Sequence, residues 1–203
     1  MKDVTTESDA AGLLVLRPWR VEDARRLRAA IDESLDSLKR WMSWGRDEPT
    51  PLAVLEERLR ADAEAFAAGR RWRYAMLLGH GGPLAGGAGL HPRVGPRALE
   101  VSYWVRAVCR RRGIAAAAAS ALARHAFLAH GVGHVDICVD IGNDASAAVA
   151  LSLGCEPRGT ITREHSDGSP RPMLVYRLES LDALRAPVGW RVEIIRGGSE
   201  PSV

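Results

Sequence analysis

The residues Arg110-Arg111-Arg112-Gly113-Ile114-Ala115 have the types and spacing to hold a polyphosphate. They stand between a strand-like run, Leu99 to Arg106, and an alanine-rich helical run, Ala115 to His130. A helix that opens there presents N–H groups without intrahelical acceptors and the positive end of its dipole. The three arginines add charge, and glycine at 113 lets the backbone come close to an anion. In isolation a solvated basic corner would look the same, so the flanking elements matter. Ala115 to Ala119 carry the smallest helix-forming side chains, which also let a helix lie close to a sheet. A second group is Asn143-Asp144-Ala145-Ser146. Asn143 reads as a helix cap, with Ser146 three residues on, and capping coexists with a functional use.

Other polar features read as structural. Cys109 lies beside the basic turn without a visible activating base, and is expected to be a small packed residue. His130 and His134 are separated by glycines that break a helix, so no metal site is expected there or elsewhere. Gly86-Gly87-x-Gly89 precedes no helix and reads as a strand that allows close approach. Three scattered cysteines without a CxxC pair fit a reducing cytoplasm. The 28 basic and 25 acidic residues make a mixed surface of net charge +3, which does not call for nucleic acid. Met1 to Ala11 is polar, unlike a signal peptide, and no apolar run approaches the ~20 residues of a membrane span.

The elements that must position these residues follow from hydrophobic period and turn signals. Leu13 to Leu16 reads as a strand, stopped by Arg17-Pro18. Val21, Ala24, Leu27 and Ile31 share a helical face. Ser34 is placed to cap a second helix with Leu35, Leu38, Trp41 and Met42 inward, and Leu52 to Ala68 forms a third, ended by Gly69. Trp72 to Leu78, Leu84 to His91 and Leu99 to Arg106 form a meander. After the alanine-rich helix come a strand, Val135 to Ile141, and a helix, Asn143 to Gly154. Two strands, Glu156 to Arg163 and Pro172 to Leu178, flank the turn Ser166 to Ser169. Val188 to Ile195 is expected as an edge strand or a segment folded over a neighbour. The order predicts one α/β domain over residues 13–180, with a central mixed, mostly antiparallel sheet of about seven strands flanked by helices. Residues 1–12 are expected to be a flexible N-terminus and 181–203 a C-terminal extension.

Four motifs, in order, resemble one family. Arg110-x-x-Gly113-x-Ala115 is similar to the acetyl-CoA pyrophosphate loop of the GNAT superfamily of N-acetyltransferases. Glu100-Val101-Ser102-Tyr103-Trp104-Val105 resembles the strand before that loop, and Asn143-x-x-Ser146-x-x-Val149-x-x-x-Leu153-Gly154 the helix after it. Leu16-Arg17-Pro18 and Trp41-Met42-x-Trp44 resemble the RimJ/RimL-type branch, which acetylates N-terminal α-amines of ribosomal proteins. The resemblance covers roughly Leu13 to Glu179. The chain departs from the pattern at Ala107, Ala116, Ala117 and Cys155, and at Ala150, where many members carry a tyrosine acid.

The resemblance implies a GNAT fold and transfer of an acetyl group from acetyl-CoA to a primary amine in a ternary complex. The acceptor is a protein N-terminal α-amine or a small-molecule amine. Backbone groups of Trp104, Val105 and Arg106 are implied to pair with the pantetheine arm. Residues Arg110, Arg111, Arg112, Gly113, Ile114 and Ala115 would hold the pyrophosphate, and Asn143 would touch the cofactor arm. Trp41, Met42, Trp44 and Tyr103 are expected to face the acceptor; the alternative for the first three is core packing of an aromatic helix end. Glu100 shares a strand face with Ser102 and Trp104 and is the candidate base, through a water; the alternative is an ion-paired or surface glutamate. Ser146 is the candidate donor to the departing sulfur, which at a thiol pKa of about 8.5 leaves with little help. Three alternatives stay open: a non-catalytic acyl-CoA-binding regulatory domain, an RNA-binding module, and a transferase using another donor such as succinyl-CoA. A homodimer is compatible with the sequence.

Overall fold

Apolar residues that alternate along β1 (Gly12–Pro18) divide between two cores: Leu14 and Leu16 enter one, Val15 the other. The computed structural model describes residues 12–195; residues 1–11 and 196–203, and with them most of the expected N-terminus and the end of the tail, lie outside the described residues. After β1 come three helices, α1 (Ala24–Asp32), α2 (Leu35–Trp41) and α3 (Leu52–Ala67). The meander is β2 (Trp72–Leu78), β3 (Leu84–His91) and β4 (Ala98–Val105). Then follow α4 (Ile114–His130), β5 (His134–Asp140), α5 (Asp144–Ser152), β6 (Glu156–Glu164), β7 (Pro170–Leu178) and β8 (Trp190–Ile194).

All eight strands form one sheet in the order β6-β7-β5-β4-β3-β2-β1-β8. The sheet is α/β and mostly antiparallel; only β4 with β5 and β1 with β8 run parallel. The strand beyond the expected seven is β8, so the segment around Val188 to Ile195 forms an edge strand. One core lies between the sheet and α4, with Val101, Ile114 and Leu122 fully buried. The other lies under α1 and α3, with Ile31, Leu55 and Leu59. Because helices cover both faces, β3 is buried along its whole length. Ala117, Ala118 and Ala119 face the sheet, which lets α4 sit close to it.

Two expectations need correction. Ser34 stands at the start of α2, but its Oγ accepts the N–H of Ala107 at 3.0 Å instead of capping its own helix. That bond ties α2 to the segment that follows β4. Of the four residues expected inward on α2, only Leu38 is fully buried; Trp41 and Met42 stay half-buried for a reason given below.

The parallel pairing of β4 with β5 is short. It covers Ala98 with His134, Leu99 with Val135 and Glu100 with Asp136, and no further. Beyond Glu100 the two strands part, which leaves one backbone edge of β4 without a strand partner.

Candidate active site

A cavity of about 550 Å³ occupies the gap between the parted strands. Ser102, Tyr103 and Trp104 line it from β4, and Ile137, Cys138 and Val139 from β5. Asn143 and Ser146 reach it from the start of α5. Trp41, Met42 and Trp44 close it from the end of α2 and the 3₁₀ turn beyond, which is why the first two are not fully buried. Glu100 lines it as well. The fold thus gathers the expected catalytic pair, Asn143 and the four expected acceptor-side residues around one space. The basic loop lies outside this lining, past the end of β4 and a 3₁₀ turn, Ala107–Cys109.

That loop has the backbone of an anion cradle. Arg111 and Gly113 both take left-handed conformations, with φ of 60° and 74°. Alternation of hand turns neighbouring N–H groups toward one side, and α4 opens immediately after with its own unpaired N–H groups. Gly113 adopts this backbone without a Cβ penalty. Arg110, Arg111 and Arg112 are exposed. The indole N–H of Trp190, on β8, donates to the Arg112 carbonyl at 2.6 Å. The Trp190 ring also lies 5.8 Å from the Arg112 guanidinium. Arg106, the last of the expected strand-end contacts, is tied to the surrounding frame. Its guanidinium grips Glu33 at 2.5 and 2.7 Å, and its N–H donates to the Ala85 carbonyl at 2.8 Å. Those donors are spent on the frame, which leaves Trp104 and Val105 as the expected strand-end contacts.

Glu100 is held differently from what a base requires. Its carboxylate is only 3% exposed and receives two guanidiniums. Arg93 donates to both oxygens at 2.7 and 3.0 Å, and Arg163 donates to both from the other side. Burial would raise its pKa, but these hydrogen bonds and charges overcome it and push the value down to about 2. A carboxylate so occupied accepts a proton from an ammonium poorly. The geometry therefore favours the ion-paired alternative for Glu100.

Tyr103 and Ser146 form the hydroxyl pair of the site. The phenol oxygen is 3.0 Å from Ser146 Oγ and 3.3 Å from the Ser146 carbonyl. Burial pushes the Tyr103 phenol up to about 12 against the effect of the Ser146 bond, so it keeps its proton at neutral pH. Asn143 caps α5: its Oδ1 accepts the Ser146 N–H at 3.2 Å and so fixes the serine at the cavity wall.

The glycines of β3 make room for larger neighbours. A Cβ on Gly87 would lie 2.7 Å from the Trp104 indole nitrogen, and one on Gly89 would lie 2.9 Å from His91 Nε2. Trp104 meets Trp44 edge-on, with centroids 6.1 Å apart. His91 Nε2 is 2.7 Å from Ser102 Oγ. Burial first, then Arg93 and Arg73, push the imidazole down to about 3, so it is neutral. Cys109 is buried, as expected of a packed residue. Cys138 lines the cavity, but burial pushes its thiol up to about 12, which leaves it a poor nucleophile.

The β6–β7 hairpin closes one end of the cleft. Arg46 donates to Asp167 at 2.8 Å, and Ser166 to Asp47 at 3.0 Å. Arg171 joins Asp140 at 2.6 Å to the Trp41 carbonyl at 2.9 Å. His91, Arg93, Arg163 and Trp190 were not picked out from the sequence. Each reaches the site through strand register or from distant chain, and none carries a motif of its own.

An open sheet whose central parallel pair parts over a cavity, followed by a phosphate-type loop opening a helix, matches a known family. The model of the acetyltransferase (GNAT) domain matches residues 14–156, and the chain belongs to that family of acyltransferases. "Putative ribosomal N-acetyltransferase YdaF" of Bacillus subtilis (strain 168) is 29% identical over 143 residues, covering 70% of this chain and 76% of the relative. Among solved structures, RimL, a ribosomal α-N-protein acetyltransferase in complex with coenzyme A, superposes with a TM-score of 0.72. It is 18% identical, covering 82% of this chain and 93% of that one. The microcin self-immunity acetyltransferase MccE, in complex with acetyl-CoA and AMP, also gives 0.72 at 17% identity, covering 81% and 91%. These structures share the fold. No helix among the described residues is long and apolar enough to cross a membrane.

Proposed function

We propose that the chain is an N-acetyltransferase that binds acetyl-CoA and passes its acetyl group directly to a primary amine. The single observation that carries this is the gap between β4 and β5. It runs from an anion-cradling loop at one end to an aromatic-walled cavity at the other, with the Tyr103–Ser146 hydroxyl pair on its side. In that reading the loop from Arg110 to Ala115 takes the pyrophosphate, and the free edge of β4 near Trp104 and Val105 pairs with the pantetheine arm. Asn143 contacts the arm while it holds Ser146. The coenzyme-bound RimL and MccE structures support the choice of donor. The RimL and YdaF likenesses support a RimJ/RimL-type acceptor, a protein N-terminal α-amine, with a small-molecule amine as the other candidate.

The acceptor amine attacks the thioester carbonyl, and the sulfur leaves as a thiolate stabilised by a hydrogen bond from the Ser146–Tyr103 pair. Positioning of amine and thioester in one cleft supplies much of the acceleration. Three of the four carboxylates on the lining, Asp62, Glu100 and Asp140, are bound to arginines. Glu164 is exposed and has no ion pair among the described residues, so the amine proton passes to it or to water. That arrangement suits an α-amine, with a pKa near 8, better than a lysine, at about 10.4.

The test is thiol release from acetyl-CoA with a panel of α-amines, lysine analogues and small amines, with the acetylated product confirmed by mass. Transfer to α-amines is expected. Tight coenzyme A binding with no thiol release for any amine would overturn the reading in favour of a non-catalytic acyl-CoA-binding domain. Faster turnover with succinyl-CoA would change the donor.

A further inference from the structure

We infer that the end of the cleft around Glu100 is an oxyanion subsite, which binds a carboxylate or phosphate carried by the acceptor close to its reacting amine. This deepens the amine-acceptor reading above and rests on it. The cavity walls carry six arginines against four carboxylates. The excess is concentrated where arginines share acids two to one. Arg93 and Arg163 share Glu100, and Arg71 and Arg73 share Asp62 at 2.9 and 3.2 Å. Both acids are buried, with side chains 5% exposed or less, whereas Arg71 and Arg93 are 39% and 48% exposed. Each carboxylate neutralises one guanidinium, so two positive charges on the rim lack a counter-charge.

These arginines also have donors to spare. Arg71 gives Asp62 only one terminal nitrogen, which leaves the other for a ligand. Arg93 gives Glu100 its Nε and one terminal nitrogen, which leaves the other terminal nitrogen for a ligand. A guanidinium fork of this kind matches an oxyanion. The floor beneath is the His91 ring, which fills the space over Gly89, the residue opposite Arg73 on β2 and Ser102 on β4. The depressed His91 agrees with a positive field, since Arg93 and Arg73 lower it further than burial alone while Glu100 opposes them.

The coenzyme's own phosphates do not account for this cluster. From Glu100 to the loop entrance at Arg106, β4 runs six residues, or ~20 Å. The cluster lies at the acceptor end, on the sheet face that Glu100, Ser102 and Trp104 share.

The experiment compares kcat/KM, with acetyl-CoA saturating, in two series. One uses amidated peptides that begin with serine and continue with aspartate, asparagine or lysine. The other uses β-alanine against β-alaninamide. The acidic member is expected to exceed its neutral partner by about tenfold or more, the discrimination of one charge-assisted hydrogen bond. That excess should shrink between ~50 and ~500 mM salt. A preference in the peptide series alone assigns the anion to a protein N-terminus, and one in the small-amine series alone to a metabolite. Arg71→Gln should bring the ratio toward one, since Asp62 keeps Arg73; if that variant is unfolded by circular dichroism, the wild-type ratios decide. Equal, salt-independent rates for acidic and neutral partners in both series overturn the subsite. No acetylated product from any amine, lysine peptide included, overturns the amine-acceptor reading itself.

Discussion

Replacing Glu100 by glutamine separates a framework role from a base role. In the wild type the carboxylate titrates near 2, against 4.5 for an unhindered glutamate. At 1.36 kcal/mol per pKa unit, the ionised carboxylate contributes about 3 kcal/mol of stability at pH 7. The sign follows from the depressed value. The contribution is complete above the unfolded pKa of 4.5 and is lost as pH falls through it toward 2. By pH 3 about 2 kcal/mol of it is gone. Glu100→Gln leaves Arg93 and Arg163 facing an amide, and Arg163 is the costlier orphan because its side chain is only 21% exposed. Urea unfolding should therefore show the variant about 3 kcal/mol less stable at pH 7, with the gap closing to about 1 kcal/mol at pH 3. Where the variant is folded, its turnover should rise with pH in parallel with the wild type, because the amine and not Glu100 sets the profile. A variant as stable as the wild type at pH 7, with turnover collapsed most at low pH, would refute the framework role and restore Glu100 as the base.

Gly113→Glu places a side chain at φ of 74°, which costs about 1–2 kcal/mol, and a negative charge where phosphate is expected. Calorimetry should show coenzyme A affinity falling at least ~100-fold, and unchanged affinity would place the phosphates elsewhere. Tyr103→Phe removes the hydroxyl that meets Ser146 Oγ at 3.0 Å. Turnover should fall about tenfold with little change in KM for acetyl-CoA, a modest loss because a thiolate leaves readily. Trp190→Phe deletes one hydrogen bond to the Arg112 carbonyl, worth about 1 kcal/mol of stability, so the melting temperature should fall by about 2–4 °C and coenzyme A should bind more weakly.

Periodicity carried most of the fold because both of its signals are local. The strands from Trp72 to Leu78 and from Leu84 to His91 show the breaks that bound β2 and β3, and Gly131 ends α4 in a left-handed conformation. The loop and the Asn143 cap were legible for the same reason: each is a short run whose chemistry depends on its own backbone. What was not legible depends on pairing between distant segments. Nothing near Glu100 announces Arg163, which arrives from 63 residues away on the β6–β7 hairpin. Ser34 has the composition of a helix cap, but the Ala107 N–H competes for its oxygen. The small residues at Gly87 and Gly89 were visible, but only the register shows that the space they leave belongs to Trp104 and His91.

The edge strand β8 has a consequence for where this domain can be cut. Residues Trp190 to Ile194 pair in parallel with Gly12 to Leu16, and the Ile195 N–H adds a bond to the Leu16 carbonyl at 2.8 Å. The β8 strand lies beyond residue 156, where the family match stops. A chain shortened to residue 180, which keeps β6 and β7, would turn β1 into a bare apolar edge, a template for pairing with another copy. Shortened forms should self-associate before they lose their fold, and a loss of soluble protein on trimming would report an uncovered sheet edge, not a defect in chemistry.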